Sequence, residues 1–270
     1  MKKGIRGHDV CAEGLKNIDK RCAEEGIEYI QLVLEKSIEG FETGKYSEEY
    51  AQKIKEEMPN TKIAILGSYI NPSDPNEETL RESIEKFKEK IRYATVLNPI
   101  AVGTETGCYI EGKTHTEEAY QHLLKTVKEL VREAEKYGVN IGIEGVYQFV
   151  INSPEIMARL VTDVNSDNLK VIFDPCNLIT IDNYVEQNKM ISDMFDLVGS
   201  RIIAVHAKDF FVENGELKRT IPGKGILNYK LIFEKMKENN LDIPIISENI
   251  DETSAKEAFD LLTDVYETVV

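Results

Sequence analysis

Eight short apolar segments recur along the 270 residues, each followed by a stretch with helical periodicity. Residues 3–9, 27–34, 61–68, 94–102, 139–144, 169–174, 201–206 and 243–247 read as strands, the fourth interrupted by Pro99. Helices are expected over 12–25, stopped by Gly26, and from Ser47 to just before Pro59. A third covers 77–91, with Leu80, Ile84, Phe87 and Ile91 on one face. The next runs from a Thr114/Glu117 capping box to Gly138, and another over 153–164 from Ser153-Pro154. The last three are 185–199, 227–239 and a helix boxed by Ser254 and Glu257. Residues 211–225, with Asn214-Gly215 and Pro222-Gly223, read as a loop.

Strict alternation of strand and helix means a parallel sheet, and eight such units close it. An open doubly wound sheet would carry a glycine-rich phosphate loop after its first strand, and GIRGHDVCAEG lacks that pattern. The expectation is one domain over residues 1–270, a (β/α)8 TIM barrel.

Charge and composition narrow the partners. A net charge of −15 argues against nucleic acid or an anionic membrane as the main partner, since both are met with positive patches. No apolar run approaches the roughly 18 residues of a membrane span. MKKGIRGHDV has no apolar stretch behind its lysines, so it does not read as a signal peptide. Cys11, Cys22, Cys108 and Cys176 show no paired metal spacing and read as reduced thiols of a cytoplasmic protein. A small molecule is the expected partner, and self-association into homo-oligomers is left open.

The chemistry lies where the later strands end. VNIGIEG ends at Glu144, LKVIFDP at Asp174, RIIAVHAKDF runs into His206, and IPIISEN ends at Glu248. A charge at the end of a core strand must be solvated, paired or used. The C-terminal mouth is where such barrels keep their active sites. Taken singly, each residue is more often a cap or a core hydrogen bonder. Four on successive strands converge, and three carboxylates with one imidazole suit one divalent cation. Oxygen-rich donors favour manganese or magnesium, with cobalt and zinc as further candidates.

Ile-Glu-Gly at 143–145, Phe-Asp-Pro-Cys-Asn at 173–177, His-Ala-Lys-Asp at 206–209, Pro-Gly-Lys-Gly at 222–225 and Ser-Glu-Asn at 247–249 resemble the xylose-isomerase-like sugar isomerases and epimerases. The resemblance implies that Glu144, Asp174, His206 and Glu248 bind the metal. It also implies that Glu144 and Glu248 form the acid/base pair. Many epimerases of that family have histidine three residues after the strand-six aspartate. This chain has Asn177, which exchanges hydrogen bonds but carries no proton. Arg219 precedes Thr220-Ile221-Pro222-Gly223, as a substrate-binding arginine does in ketose epimerases, with a loop surface charge as the equal alternative. Lys208 and Asp209 either contact substrate or pair behind His206. Asn71, Glu105 and His8 follow the third, fourth and first strands, within reach of substrate, with plain turn roles as the alternative. His115 and His122 read as structural.

The implied reaction is proton transfer next to a carbonyl, through an enediolate that a metal stabilises, in a sugar or sugar phosphate. Dehydration of an inosose-like cyclic ketone starts with the same proton abstraction. Two rivals differ in class. An abasic-site endonuclease-like metallohydrolase needs several metals and many histidines, whereas this chain has four histidines. A non-catalytic carbohydrate-binding barrel has no use for the paired glutamates.

Overall fold

The computed structural model describes residues 1–10, 13–107, 109–250 and 252–269. In chain order these form β1 (Lys2–Arg6), α1 (Leu15–Glu24), β2 (Tyr29–Leu32), α2 (Leu34–Ser37), α3 (Glu48–Glu56), β3 (Lys62–Gly67), α4 (Glu77–Leu97), β4 (Ala101–Thr104), α5 (Glu117–Tyr137) and β5 (Ile141–Glu144). There follow α6 (Pro154–Val164), β6 (Leu169–Phe173), α7 (Pro175–Leu178), α8 (Gln187–Val198), β7 (Ile202–Ala207), β8 (Asp209–Glu213), β9 (Glu216–Thr220), α9 (Tyr229–Glu238), β10 (Pro244–Ser247) and α10 (Glu252–Glu267). Eight strands pair in parallel as a closed barrel, in the order β1-β10-β7-β6-β5-β4-β3-β2. The chain is therefore a (β/α)8 TIM barrel, as the alternation predicts. Cys22 and Cys176 are buried free thiols, while Cys11, Cys108 and Ala12 of the expected first helix lie outside the described residues.

Four local expectations need correction. Residues 94–102 are not one strand: α4 continues to Leu97, burying Ile91, Ala94 and Leu97 on one face, and Asn98 closes it at φ 54°. The apolar run thus belongs half to a helix, and β4 begins only at Ala101. The cap of α5 is Thr116, which accepts from Ala119 N, while the Thr114 hydroxyl accepts from Ile110 N within the preceding loop. Ser254 lies inside α10, which begins at Glu252. The Ser153-Pro154 start of α6 stands as read.

The fourth correction positions the site. Residues 209–220 are an antiparallel hairpin, β8 on β9, and not a loop. Asn214 and Gly215 form its two-residue turn, with φ of 52° and 78°. One buried side chain fastens its base. Asp209 accepts from Phe210 N at 2.8 Å and Leu227 N at 3.0 Å on Oδ1, and from Gly223 N and Gly225 N, both at 2.9 Å, on Oδ2. A Cβ on residue 225 would overlap that carboxylate, which explains the glycine of the Pro-Gly-Lys-Gly motif.

Inside the barrel, Ile65, Ile172 and Ile246 pack with Tyr29, Ala64 and Ala204. Glycines on other strands make room for them. A Cβ on Gly103 would stand 2.5 Å from Ile65 Cγ2 and 2.9 Å from Ile172 Cδ1. Gly103→Ala is expected to destabilise the fold by about 1–3 kcal/mol through overpacking, read as a lowered urea midpoint. Asp209→Asn would turn an NH2 toward two backbone donors. At about 1–3 kcal/mol per unmet buried group, it should lose at least about 2 kcal/mol. Hydrogen exchange should accelerate at the amides of Gly223 and Gly225.

Candidate active site at the barrel mouth

Strand register brings four polar residues to the same side. Glu144 pairs with Ile172, two residues before Asp174. Ile172 pairs with Ala204, two before His206, and His206 pairs with Ile246, two before Glu248. Every offset is even, so all four side chains share one face, the barrel interior at its C-terminal end. All are buried.

The four meet around one atom. His206 Nδ1 lies 3.3 Å from Glu144 Oε1, 3.4 Å from Glu248 Oε1 and 3.8 Å from Asp174 Oδ2. Neither ring nitrogen of His206 has a hydrogen-bond partner among the described residues, although the side chain is fully buried. Buried polar atoms are normally paired, so two orphan nitrogens on one ring point to a missing partner. Glu144, Asp174 and His206 each offer a donor atom, all within 4.8 Å of one another. Metal–donor bonds of about 2.0–2.6 Å span such a gap, and the hard-oxygen-plus-imidazole set suits a divalent cation. Glu248 is not one of this trio, but its Oε1 lies 3.4 Å from His206 Nδ1 while its Oε2 faces Lys208 and Arg6.

Lys208 and Asn177 knit the cluster together. Lys208 Nζ lies 2.6 Å from Asp174 Oδ2 and 2.8 Å from Glu248 Oε2, and donates to Asn177 Oδ1 at 3.3 Å. Asn177 Nδ2 donates to Glu144 Oε1 at 2.7 Å, and its backbone N–H donates to Asp174 Oδ1 at 3.0 Å. Asp174 is thus both the N-cap of α7 and a member of the cluster.

Crowded charges shift one another. Burial alone would suppress the charge on His206, but Glu248, Glu144 and Asp174 outweigh it and raise its pKa to about 9. Burial opposes ionisation of Glu248, yet His206, Lys208 and Arg6 outweigh that and lower its pKa to about 2. Burial raises the Asp174 carboxyl despite Lys208 beside it. Glu105, half-buried after β4, is pushed up to about 7 by burial and by the charge of Glu144.

The remaining expected residues scatter around this centre. Arg219, on β9, donates from Nη2 to the Cys176 carbonyl at 3.4 Å. Asn71 closes a turn, its Oδ1 accepting from Ser73 N and Oγ. His8 is half-buried after β1, its pKa lowered by burial and by Arg6. His122 contacts the Asp74 carbonyl through Nε2 at 2.9 Å, a structural role as expected. Asp209 does not pair behind His206, because both its oxygens serve the hairpin base.

Two neighbours of the centre escape the sequence reading. Arg6 grips Asp9 at 2.7 Å through Nε and reaches Glu248 Oε2 at 3.7 Å. It ends its strand as the other site residues do, but KKGIR is charged at both ends and hides it. Tyr69 has a part-exposed ring and a hydroxyl turned inward to Gln31 Nε2. Burial and the charges of Glu144 and Glu248 push that hydroxyl's pKa well up. A tyrosine just after a strand gives no comparable signal.

Comparisons place this geometry among known proteins. A protein of Methanocaldococcus jannaschii is 30% identical over 207 residues, covering 75% of this chain and 68% of that one. The inosose isomerase of Bacillus velezensis is 25% identical over 235 residues, 83% of this chain and 79% of that enzyme. The crystal structure of a D-tagatose 3-epimerase-like protein superposes with a TM-score of 0.80 at 23% identity, covering 100% of this chain and 98% of that one; at that identity the likeness is one of fold. The family model described as xylose isomerase-like TIM barrel matches residues 20–265, and the chain belongs to that family.

Proposed function

We propose that this protein is a divalent-metal-dependent isomerase or epimerase of small carbohydrates, moving a proton next to a carbonyl. The observation that carries the reading is the convergence of three buried carboxylates on His206 Nδ1 at 3.3–3.8 Å. The inosose isomerase relative extends the substrate range from open-chain ketoses to cyclic polyol ketones.

Glu144, Asp174, His206 and Glu248 would hold the cation. Bound there, a divalent ion supplies a Lewis acid that polarises a carbonyl and acidifies the neighbouring C–H. The protein's own residues do the rest. Glu144 and Glu248 enter the mouth from β5 and from the end of β10, with β6 and β7 between them in the wall. They therefore flank a substrate from two sides. One takes the proton from carbon and the other returns one, which suits inversion at that carbon. Asn177 fixes Glu144 through Oε1, and Oε2 is the oxygen assigned to proton transfer. Lys208 and Arg6 lie against Oε2 of Glu248 and hold that carboxylate in the mouth.

Metal-loaded protein in deuterated water should therefore exchange deuterium into a member of a panel of ketoses, ketose phosphates and inososes. Glu144→Gln and Glu248→Gln should each lower that rate by at least ~10²-fold at saturating metal. No exchange with any member, together with cleavage of an abasic-site DNA, would move the protein to another enzyme class. A separate check needs no substrate. A ligand bound only by the folded state stabilises it, so chelation of the metal-loaded protein should lower its Tm, and added manganese should restore it.

A further inference from the structure

The cluster contains a second ring of oxygens. Asp174 Oδ2, Glu248 Oε2 and Asn177 Oδ1 surround Lys208 Nζ at 2.6, 2.8 and 3.3 Å. Glu248 spans two positions: Oε1 faces His206 Nδ1 at 3.4 Å while Oε2 faces the ammonium. Asp174 Oδ2 also faces both, 3.8 Å from Nδ1 and 2.6 Å from Nζ. Carboxylates that serve two neighbouring cation positions are the donor pattern of paired metal ions, which sit roughly 3.5–4 Å apart. Here a side chain of the protein fills one of the two.

The ammonium is delivered from a fixed backbone. The Lys208 carbonyl accepts from Tyr229 Oη at 2.7 Å and from Cys176 Sγ at 3.3 Å, both buried. The next residue is Asp209, whose carboxylate is locked by four backbone donors. The Lys208 side chain is itself only 10% exposed. Charge points the same way. With Arg6 paired to Asp9, the three carboxylates are balanced by one divalent ion and one ammonium. A second divalent ion would have to take the same three oxygens from a tethered competitor.

We propose that Lys208 is a built-in cation occupying the second position of a two-cation carboxylate centre, and that it thereby restricts this chain to one divalent ion. The inference rests on the metal-centre reading given above.

Manganese binding to the full chain tests it, by equilibrium dialysis with metal analysis and by electron paramagnetic resonance. Wild type should take up one Mn2+ with an uncoupled spectrum. Lys208→Ser removes the ammonium and leaves the oxygens, so it should take up two, with the exchange-coupled spectrum of a carboxylate-bridged pair. Lys208→Gln, which keeps most of the aliphatic stem, should also bind two, and Lys208→Arg should stay at one. Two coupled ions in wild type would overturn the proposal. So would Ser and Gln variants that melt cooperatively yet bind one ion, or that gain a second ion without coupling. A wild type that binds no manganese would overturn the metal-centre reading and this inference with it. Deuterium exchange that fails in a protein binding one ion would instead fault the proposed reaction and leave Lys208 in its role.

Discussion

Three carboxylates crowd one buried imidazole, and much of the upper half of the barrel is arranged around that fact. At an effective dielectric of about 20, two like charges 4 Å apart repel by roughly 4 kcal/mol. Such a cluster stands only if positive charge reaches the same few ångströms. The chain supplies Lys208 between Asp174 and Glu248, and Arg6 behind Glu248. Each cation is itself held. Arg6 is braced by Asp9 and Asn249, and the backbone of Lys208 by Tyr229 and Cys176. The second neighbours of the cluster therefore do as much to define it as the residues that face one another.

Asp209 shows the same logic one step further out. Its position in the His-Ala-Lys-Asp motif suggests an electrostatic partner for His206. The structure spends it on backbone N–H groups, so the motif joins two unlike tasks: a ring nitrogen for the centre and a clasp for the hairpin above it. Fourteen and sixteen residues later Gly223 and Gly225 donate to Oδ2, and both must be glycine, the first for its φ of 90° and the second because a Cβ would strike the Asp209 carboxylate. Sequence spacing shows that these residues belong together but not which of them face the mouth.

What was legible in the sequence follows from the range of the forces involved. Strand–helix alternation, the caps at Ser47 and Ser153 and the glycine stop at 138 are local, and they read correctly. Glu144, Asp174, His206 and Glu248 stood out because each ends an apolar run, and register alone gathers them. Segments where two patterns overlap read poorly. ATVLNPIAV is largely apolar, so a helix end and a strand start read as one strand. The hairpin reads as a loop because its flanks, FFVE and ELKR, lack a clean apolar alternation, although Asn214-Gly215 is a strong turn signal. Arg6 and Tyr69 become neighbours of the cluster only when the barrel closes β1 against β10 and brings the β3 loop over the mouth. No local pattern carries that information.

Asn177 is where fold and chemistry bear on each other most directly. Its amide donates to Glu144 from one end and accepts from Lys208 at the other, so it links the two sides of the centre without adding charge. A histidine in its place could make both bonds only as one neutral tautomer, and gaining a proton would set a cation beside the Lys208 ammonium. The asparagine cannot change its charge, which leaves the balance at the mouth to the carboxylates, His206, Lys208 and whatever ion they hold. The amide lies next to Glu144, on the side from which that glutamate is proposed to reach the reacting carbon.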